Sequence, residues 1–148
     1  MKRFEEMLPS GIIRRLDHLG IAVTDLDAAR ADYVDRLGFS ELERESLPEQ
    51  GVEVLMLDGG NCRVELLAPL GEDSPIAIFL AKRGEGLQQA AFQVEDLDAA
   101  LAELAGRGIR PIASPSIGAG GLRICFLHPR DTHGVLLELV EYAERGEG

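Results

Sequence analysis

Two stretches of this chain repeat one pattern. The first, LDHLGIAVTDLDAA, begins at Leu16, and the second, LQQAAFQVEDLDAA, begins at Leu87. They align without a gap, and each reads as a short apolar strand, an acidic turn and an amphipathic helix. Two copies in a chain of 148 residues predict two half-domains around a pseudo-twofold axis. A site on that axis would be built from equivalent positions of both copies.

Turn and cap signals extend the first copy into a βαβββ module. Asp25 is a good N-cap for a helix over residues 26–37, and Gly38 is expected to end that helix in the left-handed conformation. The Gly59-Gly60-Asn61 stretch is typical of a β-hairpin. The three strands expected after the helix cover residues 39–45, 51–58 and 62–69.

The second copy follows the same plan. Its first strand is expected over residues 87–94 and its helix over residues 97–106, and further strands are expected near Ile112, over 123–127 and over 135–141. A connector with a short helix over residues 76–83 precedes it. The pattern therefore predicts one α+β domain assembled from two tandem modules.

The expected domain covers residues 1–148. Its βαβββ modules lie at 14–70 and 87–142, and the connector between them lies at 71–86. Flexible ends are expected at 1–13 and 143–148, and RFEEML in the first of them could form a helical turn. The two modules would form a curved, half-open mixed sheet around a metal-site cleft.

Composition excludes several classes of partner. A formal charge of -11 and a pI near 4.7 argue against nucleic-acid binding, which usually needs a basic face. No stretch approaches the ~20 apolar residues of a membrane span, and the opening MKRFEEMLPSG lacks the apolar run of a secretory signal. Cys62 and Cys125 lie in apparent strands without metal-type spacing, which indicates free buried thiols. We therefore expect a cytoplasmic protein that binds neither nucleic acid nor membrane.

Four polar residues occupy equivalent places in the two copies. His18 aligns with Gln89, and Glu65 of VELLAP aligns with Glu138 of LELVEY. An unpaired buried carboxylate costs several kcal/mol, so each glutamate in these apolar strands needs a partner or a cation. A divalent metal on the axis would satisfy all four side chains, and Co²⁺, Mn²⁺, Mg²⁺, Ni²⁺ and Zn²⁺ all suit such a donor set.

A simpler interpretation of the same residues needs no metal. Glu65 and Glu138 could lie on the solvated faces of half-exposed strands, and a strand histidine such as His18 is commonly packed or hydrogen-bonded. The symmetry of the four positions favours the metal site.

Several stretches of the chain resemble the vicinal-oxygen-chelate superfamily, which includes glyoxalase I, extradiol dioxygenases and bleomycin-resistance proteins. Within it the chain is most similar to the methylmalonyl-CoA epimerase family, over residues 16–142. The stretches that carry the likeness are LDHLGIAV, LPEQGV, VELLAP, GEGLQQAAFQV, IGAGGLRICFLHP and GVLLEL. LPEQGV and IGAGGLRICFLHP are more specific to the epimerases than to the superfamily.

This resemblance implies an activity and a set of site residues. The activity is interconversion of the two C2 epimers of 2-methylmalonyl-CoA, with a divalent metal, Co²⁺ favoured, that binds the substrate's carbonyl oxygens. His18, Glu65 and Glu138 would be metal ligands, and Glu49 of LPEQGV would be the acid–base glutamate. Glu138 is also a candidate for the proton transfer on the second face. The likeness further implies an acyl-CoA substrate, and we expect a homodimer that covers exposed edge strands.

The fourth ligand position departs from the epimerase pattern. Family members usually read GLHHIAF where this chain reads GLQQAAF, so Gln89 stands in place of the ligand histidine. An amide oxygen binds a hard cation but is a weaker donor than imidazole for cobalt, nickel or zinc. Gln89 is included among the expected ligands.

Two further functions remain open on the sequence. A glyoxalase I-like lyase would use the same metal-stabilised enolate chemistry, although LPEQGV argues against it. A small-molecule binding protein without catalysis, like the superfamily's drug-sequestering members, is favoured by the missing histidine.

Overall fold

The computed structural model describes residues 11–142. The turn expected at RFEEML and the tail expected after residue 142 lie outside the described residues. These described residues divide into two compact units, residues 18–89 and residues 11–17 with 90–142. The boundary between them crosses the first strand of each repeat. The interpretation of the whole chain as one domain stays a prediction.

The unit at residues 18–89 holds most of the first repeat. Its strand order is β2-β3-β4-β1, and β1 runs parallel to β4 while the other neighbours are antiparallel. The elements are β1 Leu16–Ala22, α1 Leu26–Arg30, β2 Ser40–Leu47, β3 Val52–Asp58, β4 Arg63–Pro69 and the connector helix α2 Pro75–Arg83.

The second unit repeats this arrangement. Its strand order is β5-β8-β7-β6, with β5 parallel to β8 and the other neighbours antiparallel. The elements are β5 Gly86–Val94, α3 Leu97–Ala105, β6 Ser116–Ile117, β7 Arg123–Phe126 and β8 Leu137–Glu141. The parallel and antiparallel pairs give the mixed sheet that the repeat predicted.

The N-caps of α1 and α3 show how closely the two copies agree. Asp25 has φ -135° and ψ 110°, and Asp96 has φ -137° and ψ 106°. Each carboxylate accepts a hydrogen bond from the backbone N–H three residues later, at 3.1 Å from Ala28 and 3.0 Å from Ala99. The acidic residue before each LDAA therefore begins its helix in the same way.

The end of the first helix differs from the expectation. After α1 the chain continues in wider, π-helical turns over Ala31–Arg36, and the Leu37 N–H donates to the Asp32 carbonyl at 3.0 Å. Gly38 then adopts φ 88°, as expected for a residue that ends a helix in the left-handed region.

The strand expected near Ile112 does not form. Pro111 makes a single bridge to Leu127, and the Ile112 N–H donates to the Phe126 carbonyl at 2.8 Å. Pro111 and Pro115 have no backbone N–H to donate, so a regular ladder cannot continue through this segment. The pairing resumes only in the two residues of β6.

Each unit packs its helix on one face of its strands. In residues 18–89, Ile21 of β1 and Val64 and Leu66 of β4 pack with Leu26 of α1. In the other unit, the core below α3 contains residues of β5, β7 and β8: Val94, Cys125 and Leu139. Strand residues of the other parity, Glu65 among them, point to the opposite face.

Both cysteines are free thiols. Cys125 is buried, and desolvation raises the pKa of its thiol, whereas Cys62 is half-buried. The expectation of unpaired thiols is confirmed. None of the helices in residues 11–142 has the length and apolar character needed to cross a bilayer.

The N-cap hydrogen bonds predict a matched pair of stability changes. Asp25→Ala and Asp96→Ala should each lower the free energy of unfolding by about 1 kcal/mol, because each leaves a helix-terminal N–H without its side-chain acceptor. Urea unfolding measures the effect. Asp25→Asn and Asp96→Asn keep an acceptor oxygen and serve as controls. Alanine variants as stable as the asparagine variants would contradict the assignment.

Candidate metal centre

The imidazole of His18 lies on the face of β1 opposite α1. Neighbouring Leu19 and Ile21 have the other parity, and Ile21 packs against the helix-side core. His18 is 4% exposed. A histidine this deeply buried is held by its neighbours rather than by solvent.

Glu65 is the first of these neighbours. It lies on β4, where the parallel register sets it opposite Gly20 of β1. Its carboxylate is buried, and its Oε1 atom lies 3.4 Å from Nε2 of His18. This burial rules out the interpretation in which Glu65 sits on a solvated strand face.

Gln89 completes the cluster within this unit. It comes from β5, it is 8% exposed, and its Nε2 atom donates to Oε1 of Glu65 at 3.5 Å. The Gln89 side chain also lies against Gly20 and near Leu67. Three of the four expected ligands, His18, Glu65 and Gln89, are therefore brought together inside residues 18–89.

Glu138, the fourth expected ligand, is on β8 of the other unit. It is 4% exposed, and the parallel register sets it opposite Ala91 of β5. Ala91 and Val140 form a small core with Ile124 on the face opposite α3. The pairs Gly20–Glu65 and Ala91–Glu138 thus occupy the same register position in the two repeats, which confirms that the two glutamates are equivalent.

The donor set fits a divalent metal. His18, Glu65 and Glu138 are each buried, and each side chain offers an atom that can bind a metal ion. The Glu65 carboxylate contacts the side chains of His18 and Gln89, neither of which carries a fixed positive charge. A cation would offset the cost of burying this carboxylate, and imidazole nitrogen with carboxylate and amide oxygens is a donor set that first-row divalent ions accept.

Glu49 lies apart from this buried group. It is exposed in the turn between β2 and β3. Backbone bonds fix the turn, since the Gln50 N–H donates to the Leu47 carbonyl at 3.0 Å and the Gly51 N–H donates to the Pro48 carbonyl at 3.0 Å. Gly51 adopts φ 73° and its carbonyl accepts from the Leu70 N–H at 2.9 Å. The hydrogen bond from Leu70 therefore holds the turn that carries Glu49 next to the end of β4, the strand that carries Glu65.

Gly20 is a site residue that the sequence patterns did not single out. It is buried in the middle of β1, beside the side chains of Gln89 and Leu67. A glycine inside an otherwise apolar strand often marks close approach of another group, and that signal was present in LDHLGIAV.

A family model described as the glyoxalase/bleomycin resistance protein/dioxygenase superfamily matches residues 17–126. The chain belongs to this superfamily. It is 44% identical over 131 residues to an ethylmalonyl-CoA/methylmalonyl-CoA epimerase of Cereibacter sphaeroides, covering 86% of this chain and 98% of that protein.

Solved structures of methylmalonyl-CoA epimerases are also similar to this chain. The methylmalonyl-CoA epimerase of Mycobacterium tuberculosis matches with a TM-score of 0.90 and 43% identity, over 96% of this chain and 97% of that one. A second match is a variant of the Streptomyces coelicolor methylmalonyl-CoA epimerase in complex with 2-nitronate-propionyl-CoA. It has a TM-score of 0.83 and 43% identity, over 90% of this chain and 100% of that one. These likenesses confirm the α+β fold class of paired βαβββ modules.

The position of Gln89 predicts the effect of restoring a histidine. Gln89→His should tighten Co²⁺ binding by about 10-fold, because imidazole is a better donor than an amide oxygen for this ion. Titration of the metal-free protein with Co²⁺, followed by its visible absorption, measures the affinity.

The matched control is Gln88→His, which places the same new side chain one residue away on the opposite face of β5. It should leave the affinity for Co²⁺ unchanged. Equal effects of the two substitutions, or no effect of either, would exclude Gln89 as a ligand.

Proposed function

We propose that this chain interconverts the two C2 epimers of 2-methylmalonyl-CoA in a metal-dependent reaction. The observation that carries the proposal is the buried cluster of His18, Glu65 and Gln89 inside residues 18–89, in a chain 44% identical to an epimerase of this substrate class. The relative from Streptomyces coelicolor binds an acyl-CoA analogue, which supports an acyl-CoA substrate here.

The reaction makes a specific demand on the site. The C2 proton lies between a thioester and a carboxylate, and its removal leaves an enolate whose new negative charge rests on the thioester oxygen. A divalent cation held by His18, Glu65, Gln89 and Glu138 would supply a Lewis acid to stabilise that charge. These four side chains are the proposed ligands, and Co²⁺ is the favoured ion, with Mn²⁺, Mg²⁺, Ni²⁺ and Zn²⁺ as the other candidates.

Glu49 is the proposed base for the C2 proton. Its carboxylate would take the proton while the electrons of the C–H bond pass into the enolate, and proton return to the opposite face completes the inversion. Glu138 is the candidate for the second face. Coordination to a cation would lower the basicity of Glu138 as a carboxylate base.

The exposure of Glu49 predicts how isotope enters the product. An exposed carboxylate exchanges its proton rapidly with water, so turnover in D₂O should place deuterium at C2 of methylmalonyl-CoA. Glu49→Gln should lower the rate of this exchange at least ~100-fold, because the amide cannot take the proton. Mass spectrometry of the thioester measures the exchange, and Co²⁺ binding of the variant should stay as in the unmodified chain.

Glu43→Gln is a suitable control, since Glu43 is an exposed acid on the adjacent strand β2. It should exchange deuterium at the unmodified rate. Absence of C2 exchange by the unmodified chain with Co²⁺ present would overturn the proposed function. Consumption of methylglyoxal with glutathione would instead assign the lyase activity, and tight binding of the thioester without metal would assign a binding protein.

We further propose that the chain works in the cytoplasm as a homodimer. The support for a dimer is β2, which pairs with β3 alone among the described strands and leaves its other edge open. Exposed apolar side chains near it, Leu37 and Leu42, would be covered by a second copy. Sedimentation should then give twice the mass of the chain, and Leu42→Glu should shift the protein toward monomer. A monomer at micromolar concentration would reject the dimer.

A further inference from the structure

Gly20 is a glycine that the local backbone does not require. It lies within β1, and its φ is outside the left-handed region in which glycine is favoured. Glycine weakens a strand because it has no side chain to pack and loses more freedom on folding. The reason for a glycine here must therefore lie in the space around it.

That space is filled by the side chain of Gln89. A Cβ atom added to Gly20 would lie 2.4 Å from Cγ and 3.0 Å from Cδ of Gln89, and 3.1 Å from Cδ1 of Leu67. The nearest contact is far shorter than van der Waals separation. Because Cγ is the first atom beyond Cβ of Gln89, relief of the contact needs a different χ1 rotamer rather than a small movement of the side-chain end.

The other repeat supplies an internal comparison. Ala91 occupies the register position on β5 that Gly20 occupies on β1. Ala91 lies opposite Glu138 of β8, as Gly20 lies opposite Glu65 of β4. Position 91 carries a Cβ and is fully buried. The register position itself therefore accepts alanine, and what distinguishes position 20 is the side chain that crosses it.

We propose that Gly20 is a positioning residue that holds the Gln89 carboxamide against Glu65. With no Cβ at position 20, the Gln89 side chain occupies the space beside Gly20, and its amide reaches Oε1 of Glu65 at 3.5 Å. A side chain at position 20 would turn Gln89 to another rotamer and take its amide away from Glu65. The role in metal binding rests on the proposed function, but the steric coupling between Gly20 and Gln89 does not.

Metal-free thermal unfolding tests the steric coupling. Gly20→Ala should lower the unfolding midpoint by about 3–10 °C, the usual result of overpacking in a domain of this size. The same substitution in a Gln89→Ala background should cost little, because the Cγ and Cδ atoms are gone and only Leu67 must adjust. Gly71→Ala is the matched control, since a Cβ there meets nothing within 4 Å and the midpoint should not fall.

Co²⁺ titration tests the consequence for the site. Gly20→Ala should weaken Co²⁺ binding by about 10-fold or more, as loss of an orienting contact to a ligand typically does. In the Gln89→Ala background, Gly20→Ala should leave the remaining affinity unchanged. Gly71→Ala should bind Co²⁺ like the unmodified chain.

The outcomes separate this inference from the proposed function. An equal fall of the midpoint in both backgrounds, or no fall in either, would overturn the positioning role of Gly20. A coupled fall of the midpoint in a protein that binds no Co²⁺ would leave the steric role standing and reject the metal site. Failure of the double variant to fold would likewise overturn the inference, because removal of Gln89 beyond Cβ is expected to restore stability.

Discussion

The buried carboxylate of Glu65 constrains the rest of the site. It lies on β4 with apolar residues on either side, and it contacts the side chains of His18 and Gln89. A carboxylate in this setting would normally be replaced by an apolar residue, since burial of an ion costs several kcal/mol without compensation. The metal proposed for this site would compensate the charge of the carboxylate. The parallel pairing of β1 with β4 is what gives that charge an imidazole neighbour.

Duplication supplies the framework, and small differences between the copies supply the chemistry. The N-caps Asp25 and Asp96 have nearly the same backbone angles, and both glutamates face the first strand of their repeat at one register position. Among the positions at which the copies differ is the aligned one that carries His18 in the first copy and Gln89 in the second.

The sequence predicted what depends on periodicity and local turns. The caps, the hairpin at Gly59 and Gly60 and the burial of Glu65 and Glu138 all follow from pattern and from the repeat. The strand expected near Ile112 was a wrong prediction. Pro111 and Pro115 lack the backbone N–H that a regular strand pairing needs, and the prediction gave them too little weight. The glycine in LDHLGIAV signals a close approach, but the identity of the approaching group was out of reach, because Gln89 lies 69 positions further along the printed sequence. Steric relations of this kind exist only after the strands have paired.

Charge balance gives the strongest physical reason to regard the proposed ligands as one set. Imidazole and carboxamide are neutral donors, and the two carboxylates together carry a formal charge of about -2 once ionised at neutral pH. A divalent ion cancels that charge, whereas a monovalent ion would leave one carboxylate uncompensated in a dry environment. A histidine at position 89 would leave the formal charge the same and change only the strength of one bond. In the proposed site the glutamine would therefore preserve the formal charge while it alters the affinity for the metal, and the proposed role of Gly20 is to leave room for that side chain.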